Sequence, residues 1–214
     1  MSHTETLHAI VLQTYNVGEA DRFCILLTRE RGKMAARARG VRKMQSRMGG
    51  SLMQGMRVLV DIHQGSAGAL ITGVKQEVND EHCDMPLSGF VAAQEGIELL
   101  LAVLHDEEPL PEIYDATLRF LEACNRQKES TLPFMISLLG HMGLLPEESH
   151  AHFETLSETQ KRFLQTCVRA NNDYPALTPK EHRTLFSLCT GLFSEHTMRP
   201  LKATHIGGSI LMVV

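Results

Sequence analysis

Tryptophan is absent from this 214-residue chain, and phenylalanine and tyrosine number only eight and three. So few rings weaken any reading built on aromatic stacking of bases, the usual device of barrels that hold single strands. No apolar run approaches the roughly 18 residues that a membrane-crossing helix needs. The opening MSHTETLHAI lacks the charged and apolar regions of a secretory leader. A cytoplasmic protein is the simplest expectation. The five cysteines, Cys24, Cys83, Cys124, Cys167 and Cys189, are odd in number and scattered. That fits reduced, mostly buried thiols better than a disulfide framework.

Nucleotide and metallohydrolase signatures are also missing. There is no G-x-x-x-x-G-K-[ST], no G-x-G-x-x-G and no H-E-x-x-H. Gly65-Ser66-Ala67-Gly68 lacks a lysine and reads as a hairpin turn. Asp80-Glu81-His82-Cys83-Asp84 brings acid, imidazole and thiol together, but neighbouring side chains of an extended chain point to opposite faces. Eleven histidines raise the question of zinc. His150 and His152 have strand spacing, and His141 and Cys167 are conceivable companions, yet no C-x-x-C supplies a second close pair. The expectation is no metal, no cofactor and no catalytic residue, hence a protein that is not an enzyme.

What is present is a concentrated positive block. Residues 22–57 hold ten cations, Arg22, Arg29, Arg31, Lys33, Arg37, Arg39, Arg42, Lys43, Arg47 and Arg57, against one acid, Glu30, for a net +9. The other eleven basic and twenty-four acidic residues leave −13, which together give the chain's −4. A basic window in an acidic chain points to a polyanion surface, and arginine suits phosphate geometry. The plainer alternative is a solvated positive face without a partner. Within this window the one ring is Phe23, in Arg22-Phe23-Cys24-Ile25-Leu26-Leu27, where a core position is the better reading. Binding is therefore expected to be mostly electrostatic.

The first eighty residues carry strand signals. Residues 7–15, 21–28 and 33–39 are rich in apolar and β-branched types, the last two flanking the turn Arg29-Glu30-Arg31-Gly32. After a polar loop at 40–50, residues 53–63 alternate, with Met56, Val58, Val60 and Ile62 on one face and Arg57, Leu59, Asp61 and His63 on the other. Residues 70–78 complete five strands, enough for a small closed barrel such as an OB-fold. Beyond Pro86 the period changes to 3.6. Residues 87–105, with Phe90, Ile97, Leu101 and Leu104 apolar, and 111–127, with Ile113, Leu118, Phe120 and Leu121, read as helices. So do 131–143, then 157–171 and 178–197, the last two opened by the capping boxes Ser157-x-x-Gln160 and Thr178-x-x-Glu181. The expected architecture is α+β: an OB-fold barrel over 1–80 that binds nucleic acid, and an all-helical partner-binding domain over 81–214.

Several segments then resemble one bacterial family. Ala9-Ile10-Val11-Leu12-Gln13-Thr14, Gly18-Glu19-Ala20-Asp21-Arg22 and Leu26-Leu27-Thr28-Arg29-Glu30-Arg31-Gly32-Lys33 are similar to the opening of the recombination mediator RecO. Ala38-Arg39-Gly40-Val41-Arg42 and Arg47-Met48-Gly49-Gly50-Ser51-Leu52-Met53-Gln54 follow in the same order. Leu138-Leu139-Gly140-His141-Met142-Gly143 and Arg199-Pro200-Leu201-Lys202 are similar to the family's helical half. The resemblance implies recombinational DNA repair: binding and annealing of single-stranded DNA, with duplex held more weakly, and help in loading the recombinase RecA together with RecR. It also implies capture of the acidic tail of single-stranded-DNA-binding protein, for which Phe134, Leu138, Arg199, Leu201 and Lys202 are the candidate residues. Two departures stand out. Many relatives carry a four-cysteine zinc module where residues 143–157 hold no cysteine, and some place arginine where this chain has Leu132 and Pro133. The rival reading is an adaptor whose basic strip meets an acidic protein surface.

Overall fold

A computed structural model of the chain describes residues 3–77, 85–126, 131–145, 154–169 and 173–197. The chain divides into two compact units, one of Met1–Cys83 with Leu104–Asp115, the other of Asp84–Val103 with Ala116–Val214.

The first unit is a closed barrel of β1 (His3–Val17), β2 (Asp21–Thr28), β3 (Gly32–Ala38), β4 (Arg57–Gly65) and β5 (Gly68–Gln76), in the order β1-β2-β3-β5-β4. β1 is long enough to serve two neighbours: Ala9 to Val17 pair with β2, and His3 to Ile10 pair with β4. An irregularity between Val11 and Gln13 lets it bend between them. All pairings are antiparallel except β3 with β5, where Arg37 lies opposite Leu70 and Ala38 opposite Ile71 and the barrel closes. This is the OB-fold topology expected of the sequence.

Alternation decides what faces in. Met34, Ala36 and Ala38 of β3, and Val58, Val60 and Ile62 of β4, join Ala9, Val11, Cys24 and Leu26 in the interior. The β4 faces are as the sequence reading assigned them. Small Ala36 and Ala38 opposite larger neighbours suit the narrow bore of a five-stranded barrel. The β2–β3 turn is held by Thr28, whose hydroxyl donates to the Gly32 carbonyl at 2.9 Å and accepts from the Arg31 N–H at 3.1 Å.

The linker between β3 and β4 closes one end of this barrel. Val41 and Leu52 are buried in the barrel core, with Met48 and Met56 packed against it. Arg22 donates to the Leu52 carbonyl at 2.8 Å and the Gly49 carbonyl at 3.3 Å. The Gly55 N–H reaches the Val11 carbonyl at 2.8 Å. Residues 104–115 belong to the barrel unit as well: the Glu107 N–H donates to the Lys33 carbonyl at 2.7 Å, and the Glu108 backbone stands against Gly32.

The second unit contains most of five helices, α1 (Leu87–Val103), α2 (Pro111–Asn125), α3 (Thr131–His141), α4 (Glu158–Val168) and α5 (Pro179–His196). Both capping boxes form: Ser157 with Gln160 opens α4, and Thr178 with Glu181 opens α5. Glu181 also accepts from the Ser157 hydroxyl at 2.6 Å, tying the two helix starts together. α3 is nearly all buried and packs on α1, α4 and α5. Its Phe134 stacks on Phe120 of α2 with centroids 4.2 Å apart. One apolar position differs from expectation. Phe90 is exposed in the first turn of α1, although it shares a face with the buried Ala93 and Ile97.

Candidate nucleic-acid interface

The ten cations of the basic window separate into three sets once the chain is folded. Arg22 points to the barrel end and serves the loop carbonyls. Five others meet carboxylates from elsewhere in the same unit. Arg29 pairs with Asp115 at 3.2 Å, Arg31 with Glu5 at 2.8 Å and Glu107 at 3.1 Å, and Lys33 with Asp106 at 3.3 Å. Arg57 pairs with Glu77 at 2.6 Å, and Arg37 with Asp21 at 2.7 Å. The window that looks almost free of acid along the chain is thus partly neutralised through space.

The third set is Arg39, Arg42, Lys43 and Arg47. All four are exposed, and none has an ion pair among the described residues. They lie on the β3–β4 loop, whose backbone is pinned while their charges face water. The Gly40 N–H donates to the Asp21 carboxylate at 2.8 Å, and the Arg42 N–H to the Ala20 carbonyl at 2.9 Å. The Arg42 guanidinium reaches the Gly18 carbonyl at 3.1 Å. A held backbone bearing exposed cations suits phosphates, since little order has to be imposed on the loop when it binds.

Asp21 organises this edge. The Gly40 N–H, then the Arg37 guanidinium, hold its carboxyl below the usual carboxylate range. It anchors the loop and restrains Arg37 in one interaction. Replacing Asp21 with asparagine keeps an acceptor for Gly40 and releases Arg37. The expected result is tighter single-strand binding, by about five-fold at 0.1 M salt, with a log-log salt slope steeper by about 0.7, one additional phosphate contact. An unchanged slope means that Arg37 does not reach phosphate.

Above the cations lies a feature that the sequence reading placed in the core. Phe23 is 37 % exposed and Tyr15, its partner across β1 and β2, is 49 % exposed. Phe23 sits out of phase with the buried Cys24 and Leu26, so the strand turns it outward. The unbroken apolar run from Phe23 to Leu27 hides that parity in the sequence.

Three of the buried thiols are not primed for chemistry. Burial pushes Cys24 up to about 11 and Cys167 and Cys189 up to about 12, so all three are protonated at neutral pH. No three His, Cys, Asp or Glu side chains converge among the described residues. His150, His152 and the 80–84 cluster lie outside them, as do Arg199, Leu201 and Lys202. Phe134 and Leu138 are buried in the core around α3. No helix among the described residues is long and apolar enough to cross a membrane.

Barrel topology and sequence point the same way. The family model described as Recombination protein O N terminal matches residues 1–76, and that for Recombination protein O C terminal matches residues 87–189. This chain belongs to the RecO family. Among its relatives is the protein named DNA repair protein RecO of Myxococcus xanthus, 34 % identical over 151 residues, which are 64 % of this chain and 58 % of that one. The protein of the same name from Bacillus subtilis is 30 % identical over 153 residues, 66 % of this chain and 56 % of its own. A shorter match, to the RecO of Bifidobacterium adolescentis, is 52 % identical over 56 residues, 26 % of this chain and 23 % of that protein. The matched stretches span less than three fifths of these RecO relatives' own lengths.

Proposed function

We propose that this RecO-family chain acts in recombinational DNA repair as a non-enzymatic mediator. It binds single-stranded DNA, pairs complementary strands and assists recombinase loading with RecR. The observation that carries this reading is the anchored β3–β4 loop of the barrel, which presents Arg39, Arg42, Lys43 and Arg47 without an ion pair among the described residues, beside Arg37 on β3. The names of the relatives support DNA repair as the setting. In this reading the basic barrel, residues 1–80, holds nucleic acid and residues 81–214 hold protein partners. Those partners are RecR, the acidic tail of single-stranded-DNA-binding protein and, indirectly, RecA. Arg199 and Lys202, with Leu201 between them, are proposed to take the tail. The work takes place in the cytoplasm, on the nucleoid.

Annealing follows from charge. Two strands repel, and a positive surface that holds both lowers the repulsion without spending a nucleotide. Complementary oligonucleotides mixed with the protein at low salt should pair at least about ten-fold faster than alone, and the gain should fade as salt screens the contacts. ATP should change nothing. A requirement for ATP, or no acceleration at low salt, would overturn the mechanism and favour the adaptor, in which the strip meets an acidic protein.

A further inference from the structure

Strand register sets Tyr15, Phe23, Arg37 and Leu70 directly opposite one another on β1, β2, β3 and β5. Opposed residues share a face of the sheet. The adjoining row of Thr14, Cys24 and Ala36 includes two barrel-core residues, so the row with the rings faces out. Adjacent strands stand about 4.8 Å apart, so the two side chains leave the sheet side by side. Neither ring stacks on another ring among the described residues, and both are exposed. A guanidinium, Arg37, ends the pair on the β3 side, and Arg39 follows it on the same outward parity.

Two exposed rings side by side on a strand surface offer a face on which a flat, apolar group can stack. A purely apolar partner is a poor match for a row in which arginine follows the rings and whose strand leads into a loop of four cations without an ion pair among the described residues. Unpaired bases fit better: each has a π-face for a ring, and the phosphates joining them carry the charge that the loop lacks. We infer that Tyr15 and Phe23 form a stacking platform for two unpaired bases of a single-stranded nucleic acid, with Arg39 beside the phosphates and Arg37 held at the platform's edge by Asp21. This inference rests on the single-strand reading of the basic loop and adds a term that the loop cannot supply. Cations hold backbone of any kind, whereas the rings distinguish a strand with free bases from a duplex and from a bare backbone.

The absence of tryptophan makes the test direct. Phe23→Trp introduces a single indole at the platform, to be titrated with an oligo(dT) and with an abasic deoxyribose-phosphate oligomer of equal length. Oligo(dT) should quench the indole and the abasic oligomer should not. Tyr15→Ala and Phe23→Ala should each weaken oligo(dT) binding about ten-fold, with the salt slope unchanged and abasic binding unaltered. Phe23→Tyr should restore the affinity. Equal affinity and equal quenching for the two oligomers would overturn the platform and leave the cationic loop standing. Failure of both oligomers to bind would overturn the single-strand reading itself, and binding of an apolar peptide by the rings instead would assign the face to protein.

Discussion

Replacing Arg39, Arg42, Lys43 and Arg47 together with alanine should reduce single-strand affinity by up to about 600-fold at 0.1 M salt. The size follows from counterion release. Each phosphate neutralised on a single strand contributes about −0.7 to the slope of log affinity against log salt, so four contacts contribute about −2.8. That loss should shrink steadily toward 1 M salt, where the wild-type protein and the variant converge. The folded state should be little affected, since the four side chains are exposed and the loop is held by backbone groups and by Arg22. The contrasting variant replaces Arg29, Arg31 and Lys33, three cations already satisfied by Asp115, Glu5, Glu107 and Asp106. It should lower the slope far less. Oligonucleotide anisotropy over a salt series, with circular dichroism as a check of folding, distinguishes the two. A steeper effect of the second variant would reverse the assignment of the interface.

Gly32→Ala should destabilise the barrel unit by about 3 kcal/mol. Two costs combine. Gly32 has φ +72°, a left-handed conformation that costs an L-residue about 1–2 kcal/mol. A Cβ there would also stand 1.8 Å from the Glu108 carbonyl oxygen, which is backbone and cannot rotate away. Relieving that overlap means moving the 104–115 segment, at an overpacking cost of about 1–3 kcal/mol. The displacement also strains the Glu107 hydrogen bond to Lys33 and the Lys33–Asp106 pair. Gly68→Ala is the control: its φ is +100°, but nothing lies within 4 Å of the added carbon. Urea titration should therefore show a clearly lower midpoint for Gly32→Ala than for Gly68→Ala. Equal midpoints would mean that Glu108 does not press on the turn.

Much of the framework was legible in the sequence, and the particular residues show why. In β4 the alternation of Val58, Val60 and Ile62 with Arg57, Leu59 and Asp61 reports burial directly, because strand side chains have a strict period of two. The starts of α4 and α5 were legible because a capping box is a local object, complete within four residues. Membership of the RecO family was legible for a related reason: the order of short segments survives without knowledge of their contacts. β2 was less clear. Its continuous apolar run gives Phe23 no visible parity, and only the register with β1 and β3 shows which side it takes. Likewise the helix period placed Phe90 among the apolar positions of α1, but packing left it outside.

The sequence by itself determined that a five-stranded barrel precedes a set of helices and that positive charge is concentrated in residues 22–57. Tertiary structure alone decided which of those charges remain available. Glu5, Asp21, Glu77, Asp106, Glu107 and Asp115 all lie outside that window along the chain, yet each stands beside one of its cations in the fold. Electrostatic pairing depends on distance through space, which falls to about 3 Å between groups up to 86 positions apart in sequence. The four cations left over lie on the β3–β4 loop, where the Asp21 carboxylate is engaged by the Gly40 N–H and by Arg37 instead.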